Sequence, residues 1–342
     1  MAKRSGLMTA QALKKVCLAA LMVAALPVVG YAAGAQTEGP DHAAAEIARS
    51  QSPHGLALQE HFGMLHPCGH FAVPRVDKVL LVWEENHSYS SVIGNPQAPT
   101  INAIAARCGL ATNYQAVDHP SLPNYMQMTS GEPFYSYPWN LDCDPGGACL
   151  TNAPSIFSEL IQAHKQWRSY AEGMSQNCGR VSYGTYAAKH NPAVYYRSVA
   201  VQCEAWDLSM GTPQSGPLRS MLLHGPAVPL VTMTPDVNDD MHNGTIQQAD
   251  AWLARWLPRV VASPAYQLGH LAVIIAWDEG PGVGDYGSTA PLLVMSASTR
   301  TGTKSSLSLN DYSVLAAMSH LTGVKPLGLA ATAPSMVKAF NL

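Results

Sequence analysis

The chain has 342 residues, with 20 Lys+Arg against 23 Asp+Glu and a formal net charge of −3. Only 13% of residues are charged and 47% are hydrophobic, which excludes a disordered chain and leaves no basic surplus for nucleic acid. Beyond the N-terminus no uncharged apolar run approaches the roughly 20 residues that cross a bilayer, so no stable membrane insertion is expected after signal cleavage.

The first element is an export signal. Lys3, Arg4, Lys14 and Lys15 precede an apolar run from Val16 to about Val29, and Ala33-Gly34-Ala35 fits a small-x-small cleavage site. Residues 1–35 therefore read as a secretory signal peptide, with an uncleaved anchor as the other reading. Cleavage after Ala35 leaves 342 − 35 = 307 residues and six cysteines: Cys68, Cys108, Cys143, Cys149, Cys178 and Cys203. An even count in an exported chain favours disulfides, and a secreted or periplasmic location is expected. Nearness in sequence pairs Cys143 with Cys149 and Cys178 with Cys203, leaving Cys68 with Cys108. Residues 36–75 read as an irregular N-terminal segment. Its histidines, His66 and His70 among them, are interrupted by Pro53, Pro67 and Gly69, so they do not read as a metal cluster.

From Val76 the pattern changes. Val79–Trp83 is a short continuous apolar run, as expected for a strand buried on both faces. Val228–Val231 is a weaker run whose Pro229 marks a strand start or an edge. Leu271–Trp277 and Pro291–Met295 complete the set. Helical patterns are expected at about Thr100–Ala106, Leu122–Thr129, Ile156–His164, Ile246–Val261 and Tyr312–Leu321. Strands alternating with helices predict an α/β fold with a largely parallel central sheet flanked by helices. With no internal repeat or linker, residues 76–342 read as a single domain.

Ligands of such sheets bind beyond the carboxyl ends of the strands, and polar residues gather there. Glu84, Glu85 and Asn86 follow the first run; Asp236, Asp239, Asp240 and His242 follow the second; Asp278 and Glu279 follow the third. Three acidic clusters at three strand ends suit a hard divalent cation held by oxygen ligands. Between them lies His119-Pro120-Ser121-Leu122-Pro123-Asn124. Ser121 at a helix start reads equally as an N-cap or as a nucleophile at a positive helix end that favours anions.

These segments resemble the bacterial phosphoesterase family that contains acid phosphatases and phosphatidylcholine-type phospholipases C, within the alkaline-phosphatase-like superfamily. The matching stretches are WEENHSYSSVIG, HPSLPNYMQMTSG, KHNPAVYY, TPDVNDDMH, AWDEG and NDYSVL, in family order over about residues 76–325. The resemblance implies that Ser121 is the nucleophile and Asn124 a donor to a phosphoryl oxygen. It implies metal ligands at Glu85, Asn86, Ser121, Asp236, Asp240, Asp278 and Glu279, and catalytic histidines at His190 and His242. The stretch Tyr286–Pro291 lacks a histidine that two-metal relatives carry, and Asp311 stands where many relatives have His. One divalent metal site is expected, with a second left open.

The function expected is an exported, metal-dependent acid phosphatase hydrolysing small phosphomonoesters through a phosphoserine. A histidine should protonate the leaving oxygen, His190 or His242 before His119. A phospholipase C-type phosphodiesterase acting on phospholipid, or a non-catalytic phosphate or metal binder, are the alternatives. Tyr170 and Glu172 read as pocket-lining or as a connection, and the acceptor patterns at Asn86-His87-Ser88 and Asn243-Gly244-Thr245 read as chance.

Overall fold

The apolar runs become the middle of one sheet. In the computed structural model the described residues are 56, 57, 60, 63–225, 228–280 and 289–342, all within the unit Arg49–Leu342. The signal peptide and most of the 36–75 segment lie outside them, as do residues 286–288 of the stretch that lacks a histidine. Nine strands are present among the described residues: β1 (Lys78–Glu84), β2 (Gly109–Gln115), β3 (Trp167–Ala171), β4 (Asp207–Ser209), β5 (Leu230–Thr234), β6 (Leu271–Trp277), β7 (Thr289–Ser296), β8 (Thr303–Ser305) and β9 (Leu309–Asn310). Their order is β4-β3-β5-β1-β6-β7-β2-β8, with β9 also paired to β2.

Continuous apolar sequence marks the centre. Every residue of β5 and β6 is buried, and so is all of β1 after Lys78. β1 runs parallel to β5 and β6, which puts their carboxyl ends on one edge. Pro229 precedes β5 and is a strand start, because β5 lies inside the sheet between β3 and β1. β7 is antiparallel to both β6 and β2. Two reversals restore the direction, so β2 also ends on the edge where β1, β5 and β6 end.

Six helices concern the site: α1 (Pro99–Arg107), α2 (Ser121–Ser130), α3 (Ile156–Gln162), α4 (Pro217–His224), α5 (Ile246–Val261) and α6 (Asp311–Thr322). α1 and α4 pack on α5, while α2, α3 and α6 pack together, so the sheet is flanked by helices. α5 starts with a capping box, Thr245 with Gln248, which satisfies two N-terminal donors at once. It buries Trp252, Leu253, Trp256, Leu257 and Val260 at helical spacing. Trp83, Trp167 and Trp277 are also fully buried, and each such ring removes on the order of 150–250 Å² from water.

The cysteines pair as Cys68–Cys108, Cys143–Cys149 and Cys178–Cys203. The first ties the segment before β1 to the start of β2. The second closes a six-residue separation beside Asp142.

Candidate active site

Strand register brings the acidic residues together. Glu84 stands opposite Trp277 in the β1–β6 ladder, and the Asp278 N–H donates to the Glu84 carbonyl at 2.9 Å. Glu85 therefore lies beside Asp278 and Glu279. One ligand oxygen from each of these three lies within 4.8 Å of the others, and all three side chains are buried. The Glu85 N–H donates to the Asp240 carbonyl, which fixes the loop after β5 against the same edge.

Ser121 enters from the fourth strand end. After β2, residues 116–120 turn the chain so that Ser121 is the first residue of α2, with Pro120 as N-cap. Its hydroxyl donates to Glu85 Oε2 at 3.0 Å and to Glu279 Oε1 at 3.3 Å, and the side chain is 1% exposed. Ser121 is therefore not the cap. Asp142 fills that role from a distance, accepting the Leu122 N–H at 3.0 Å.

The donor chemistry fits a hard cation. Both Asp278 oxygens and Glu279 Oε2 are buried without a hydrogen-bond partner among the described residues. Burial, with the charge of Glu85 added, raises the pKa of Asp278 and Glu279 above the usual carboxylate range. Closely spaced buried carboxylates are costly unless a proton or a metal neutralises them. An all-oxygen set of this kind selects a hard divalent ion. Asn86, the expected neighbour ligand, is half-buried at φ 54°, in the left-handed region.

His190 is held on both sides. Its Nδ1 lies 3.0 Å from Asp240 Oδ2 and its Nε2 lies 3.2 Å from Glu85 Oε1. Its ring stacks on Tyr125, which stacks on Trp83, and the Tyr125 hydroxyl donates to Glu85 Oε1 at 2.6 Å. Burial lowers its pKa to about 4, so near neutral pH it is uncharged. Glu85, His190 and His242 make a second group of ligand atoms within 4.8 Å, sharing Glu85 with the first. Asp240 also accepts the His242 N–H at 2.7 Å, and burial raises its pKa to about 7.

Several expected roles change. Asn124 does not face a phosphoryl group: its Oδ1 accepts the Asp118 N–H and its Nδ2 donates to the Asp118 carbonyl, both at 2.9 Å. Its whole amide is spent on shaping the loop before Ser121. Asp236 is not with the other acids. It accepts the Thr185 hydroxyl at 2.6 Å and the N–H groups of Asn238 and Asp239, folding its own loop beside Glu172 and Asp239. His190 and His242, expected as proton donors, are both engaged, His190 as above and His242 through Nε2 to Lys189 Nζ at 3.1 Å. Tyr170 is core, 2% exposed on β3. Glu84 is fully buried with neither oxygen partnered, and burial, then the nearby charges of Asp240 and Asp239, raise its pKa strongly.

His119 differs from the other two. Its Nδ1 lies 2.6 Å from Glu279 Oε2, off the hydrogen-bonding line, and its side chain is 19% exposed. Asp142, Lys189 and Tyr125 were missed in the sequence. Asp142 lies just before a disulfide-closed loop, in a stretch with no periodicity, Lys189 is half-buried in a 3-10 turn (Ala188–His190), and Tyr125 reads as helix core.

Comparison with known proteins places these residues in a family context. The phosphoesterase family model matches residues 94–325, which takes in Ser121, His190 and the Asp278-Glu279 pair. A phosphatidylinositol-3-phosphatase from Mycobacterium tuberculosis is 32% identical over 265 residues, covering 77% of this chain and 82% of that protein. A phosphate-repressible acid phosphatase from Penicillium chrysogenum is 25% identical over 74% of this chain. The aligned region spans 60% of that fungal protein, less than two thirds of its length. A solved structure from Vibrio parahaemolyticus, a protein in the alkaline phosphatase superfamily, aligns with a TM-score of 0.53 at 12% identity. It covers 80% of this chain and 73% of that one, and shows a shared fold.

Proposed function

The chain belongs to the phosphoesterase family and is a hydrolase of phosphoric esters; we propose that it is a metal-dependent phosphomonoesterase with Ser121 as nucleophile. One observation carries this reading. A serine hydroxyl at the head of a ten-residue helix lies within 3.3 Å of two buried carboxylates.

The divalent cation would be held by Glu85, Asp278 and Glu279, with Asn86 adjoining, and when bound it supplies charge neutralisation and a lower pKa for the Ser121 hydroxyl. The protein does the rest. Glu85 and Glu279 orient the hydroxyl, and Glu85, the nearer at 3.0 Å, accepts its proton. Ser121 Oγ attacks phosphorus, the Oγ–P bond forms, and the P–O bond to the leaving group breaks in line. The positive dipole end of α2, whose Leu122 N–H is held by Asp142, favours the negative charge of the transferring group. His119 hands a proton to the leaving oxygen from Nε2, a nitrogen with no partner among the described residues. Water then cleaves the phosphoserine and restores the hydroxyl.

The mycobacterial relative's name supports a monoester on a lipid headgroup as one substrate, beside small soluble monoesters. Three disulfides support an oxidising compartment, in line with an export signal over residues 1–35 and one catalytic domain over 76–342. Among the described residues no helix is long and apolar enough to cross a membrane. The reading is tested by hydrolysis of p-nitrophenyl phosphate with and without chelator. Chelator-sensitive turnover is expected. Full turnover after exhaustive metal removal would overturn the metal dependence.

A further inference from the structure

Lys189 occupies a place for which the mechanism above has no role. Its Nζ lies 2.6 Å from Asp142 Oδ2 and 3.1 Å from His242 Nε2, and the side chain is 21% exposed. An ammonium has three N–H donors and no acceptor. His242 Nε2 must therefore be the acceptor, and the ring proton sits on Nδ1, facing Asn243 Oδ1 at 3.1 Å. Asp142 uses its other oxygen on the Leu122 N–H, one residue from Ser121. The lysine is thus strapped to the head of the nucleophile's helix on one side and propped by an imidazole on the other. Two of its donors are used, and the third has no partner among the described residues.

The charge balance gives that third donor a purpose. Glu85 and Glu279 accept the Ser121 hydroxyl, Asp278 lies beside both, Asp142 holds the Leu122 N–H and Asp240 shares His190 with Glu85, and Lys189 is the sole lysine or arginine found in ion pairs with any of them among the described residues. Asp142 takes up only part of its charge, because it also serves the helix terminus. A phosphomonoester above its second pKa of about 6 is a dianion, whereas a diester is a monoanion with one oxygen fewer to bind.

We propose that Lys189 is the residue that selects phosphomonoesters: its third N–H binds a non-bridging phosphoryl oxygen, and Asp142 and His242 hold it in place for that contact. The proposal rests on the reading of Ser121 as nucleophile. His242 then acts on Lys189 as a positioning residue, which explains why its Nε2 is turned to an ammonium and away from any leaving group.

The experiment uses the full chain with metal supplied, as wild type, Lys189→Met, Lys189→Gln and Lys189→Arg. Two quantities are read: inorganic phosphate affinity by calorimetry, and kcat/KM for p-nitrophenyl phosphate and for its bis-ester. Lys189→Met is expected to weaken phosphate at least about tenfold. It should lower monoester kcat/KM about 100-fold and diester kcat/KM less than about fivefold, with Lys189→Arg restoring most of the monoester loss. Where the Met variant fails to fold, Lys189→Gln, which keeps an N–H and loses the charge, is read in its place. Equal loss on both esters without rescue by Arg would overturn the proposal, and so would unchanged phosphate affinity. A wild type that hydrolyses neither ester contradicts the Ser121 mechanism instead, and calorimetry alone then decides the lysine.

Discussion

At the scale of single residues, three histidines within one site have three different fates, set by what each nitrogen meets. His190 is clamped between Asp240 and Glu85, His242 accepts from Lys189, and His119 keeps Nε2 without a partner among the described residues. In the mechanism proposed, the last passes a proton to the leaving group. Replacing His119 by Ala should therefore cost more as the leaving group becomes more basic. Little effect is expected on p-nitrophenyl phosphate and a loss of about 100-fold on an alkyl phosphate, within the usual range for general acids. A Brønsted plot of kcat/KM against leaving-group pKa checks this, and parallel lines for wild type and variant would remove His119 from the role. The sequence pointed to Glu85, Ser121, Asp278 and Glu279, which the structure brings together, because polar types after buried strands are rare and strand register sets their place. It misjudged Asn124 and Asp236, since side-chain direction inside a loop depends on which backbone groups need partners, and spacing does not carry that.

At the scale of elements, the helix that presents Ser121 is pinned at its far end by two glycines. Gly131, the C-cap of α2, has φ 75°, and Gly328 has φ 46°. The Leu329 N–H donates to the Gly131 carbonyl at 2.9 Å. A Cβ on Gly131 would lie 2.2 Å from the Leu327 carbonyl oxygen, backbone that cannot swing aside. Gly131→Ala is thus expected to destabilise the chain by about 2–4 kcal/mol and to lower Tm by about 3–6 °C. Thermal melts followed by circular dichroism measure this, and a variant melting within about one degree of wild type would contradict the packing. Long elements were legible: α5 has the bounds that its periodicity predicts, and so does β6. β2 and β3 were not read, because GLATNYQ and WRSYA mix Gly, Asn and Arg into strands whose burial comes from neighbours distant in sequence.

At the scale of the whole molecule, buried acids outside the metal-ligand cluster add to the response to pH. Burial raises Asp207 to about 7, against hydrogen bonds from Asn191 and Ser169 that pull it down. Burial likewise raises Asp311, which accepts the Tyr114 hydroxyl at 2.6 Å, to about 8. Asp311 is a fully buried carboxyl at the first residue of α6. Both groups hold a proton in the folded chain at pH values where the unfolded chain, with an aspartate pKa of about 3.9, has lost it. Their stabilisation is complete below about pH 4 and disappears as pH rises through about 7 and 8, at roughly 1.4 kcal/mol per unit for each bound proton. Tm should therefore be higher at about pH 5.5 than at about pH 8.5, and Asp207→Asn should flatten part of that slope. A slope of opposite sign would show that these carboxyls are charged in the folded state. The largely parallel sheet was legible at this scale from its apolar runs. The antiparallel β7 was not, because strand direction is set by connections and the run Pro291–Met295 reads the same either way.

In the mechanism proposed, Ser121 Oγ carries the phosphoryl group. This is tested most directly by acid-quenching the metal-loaded enzyme during turnover of a radiolabelled phosphomonoester and mapping the labelled peptide. Label on the peptide containing Ser121, absent from Ser121→Ala together with a loss of at least about 1,000-fold in kcat, is the expected result. Label on another residue, or a Ser121→Ala enzyme that retains turnover, would contradict it.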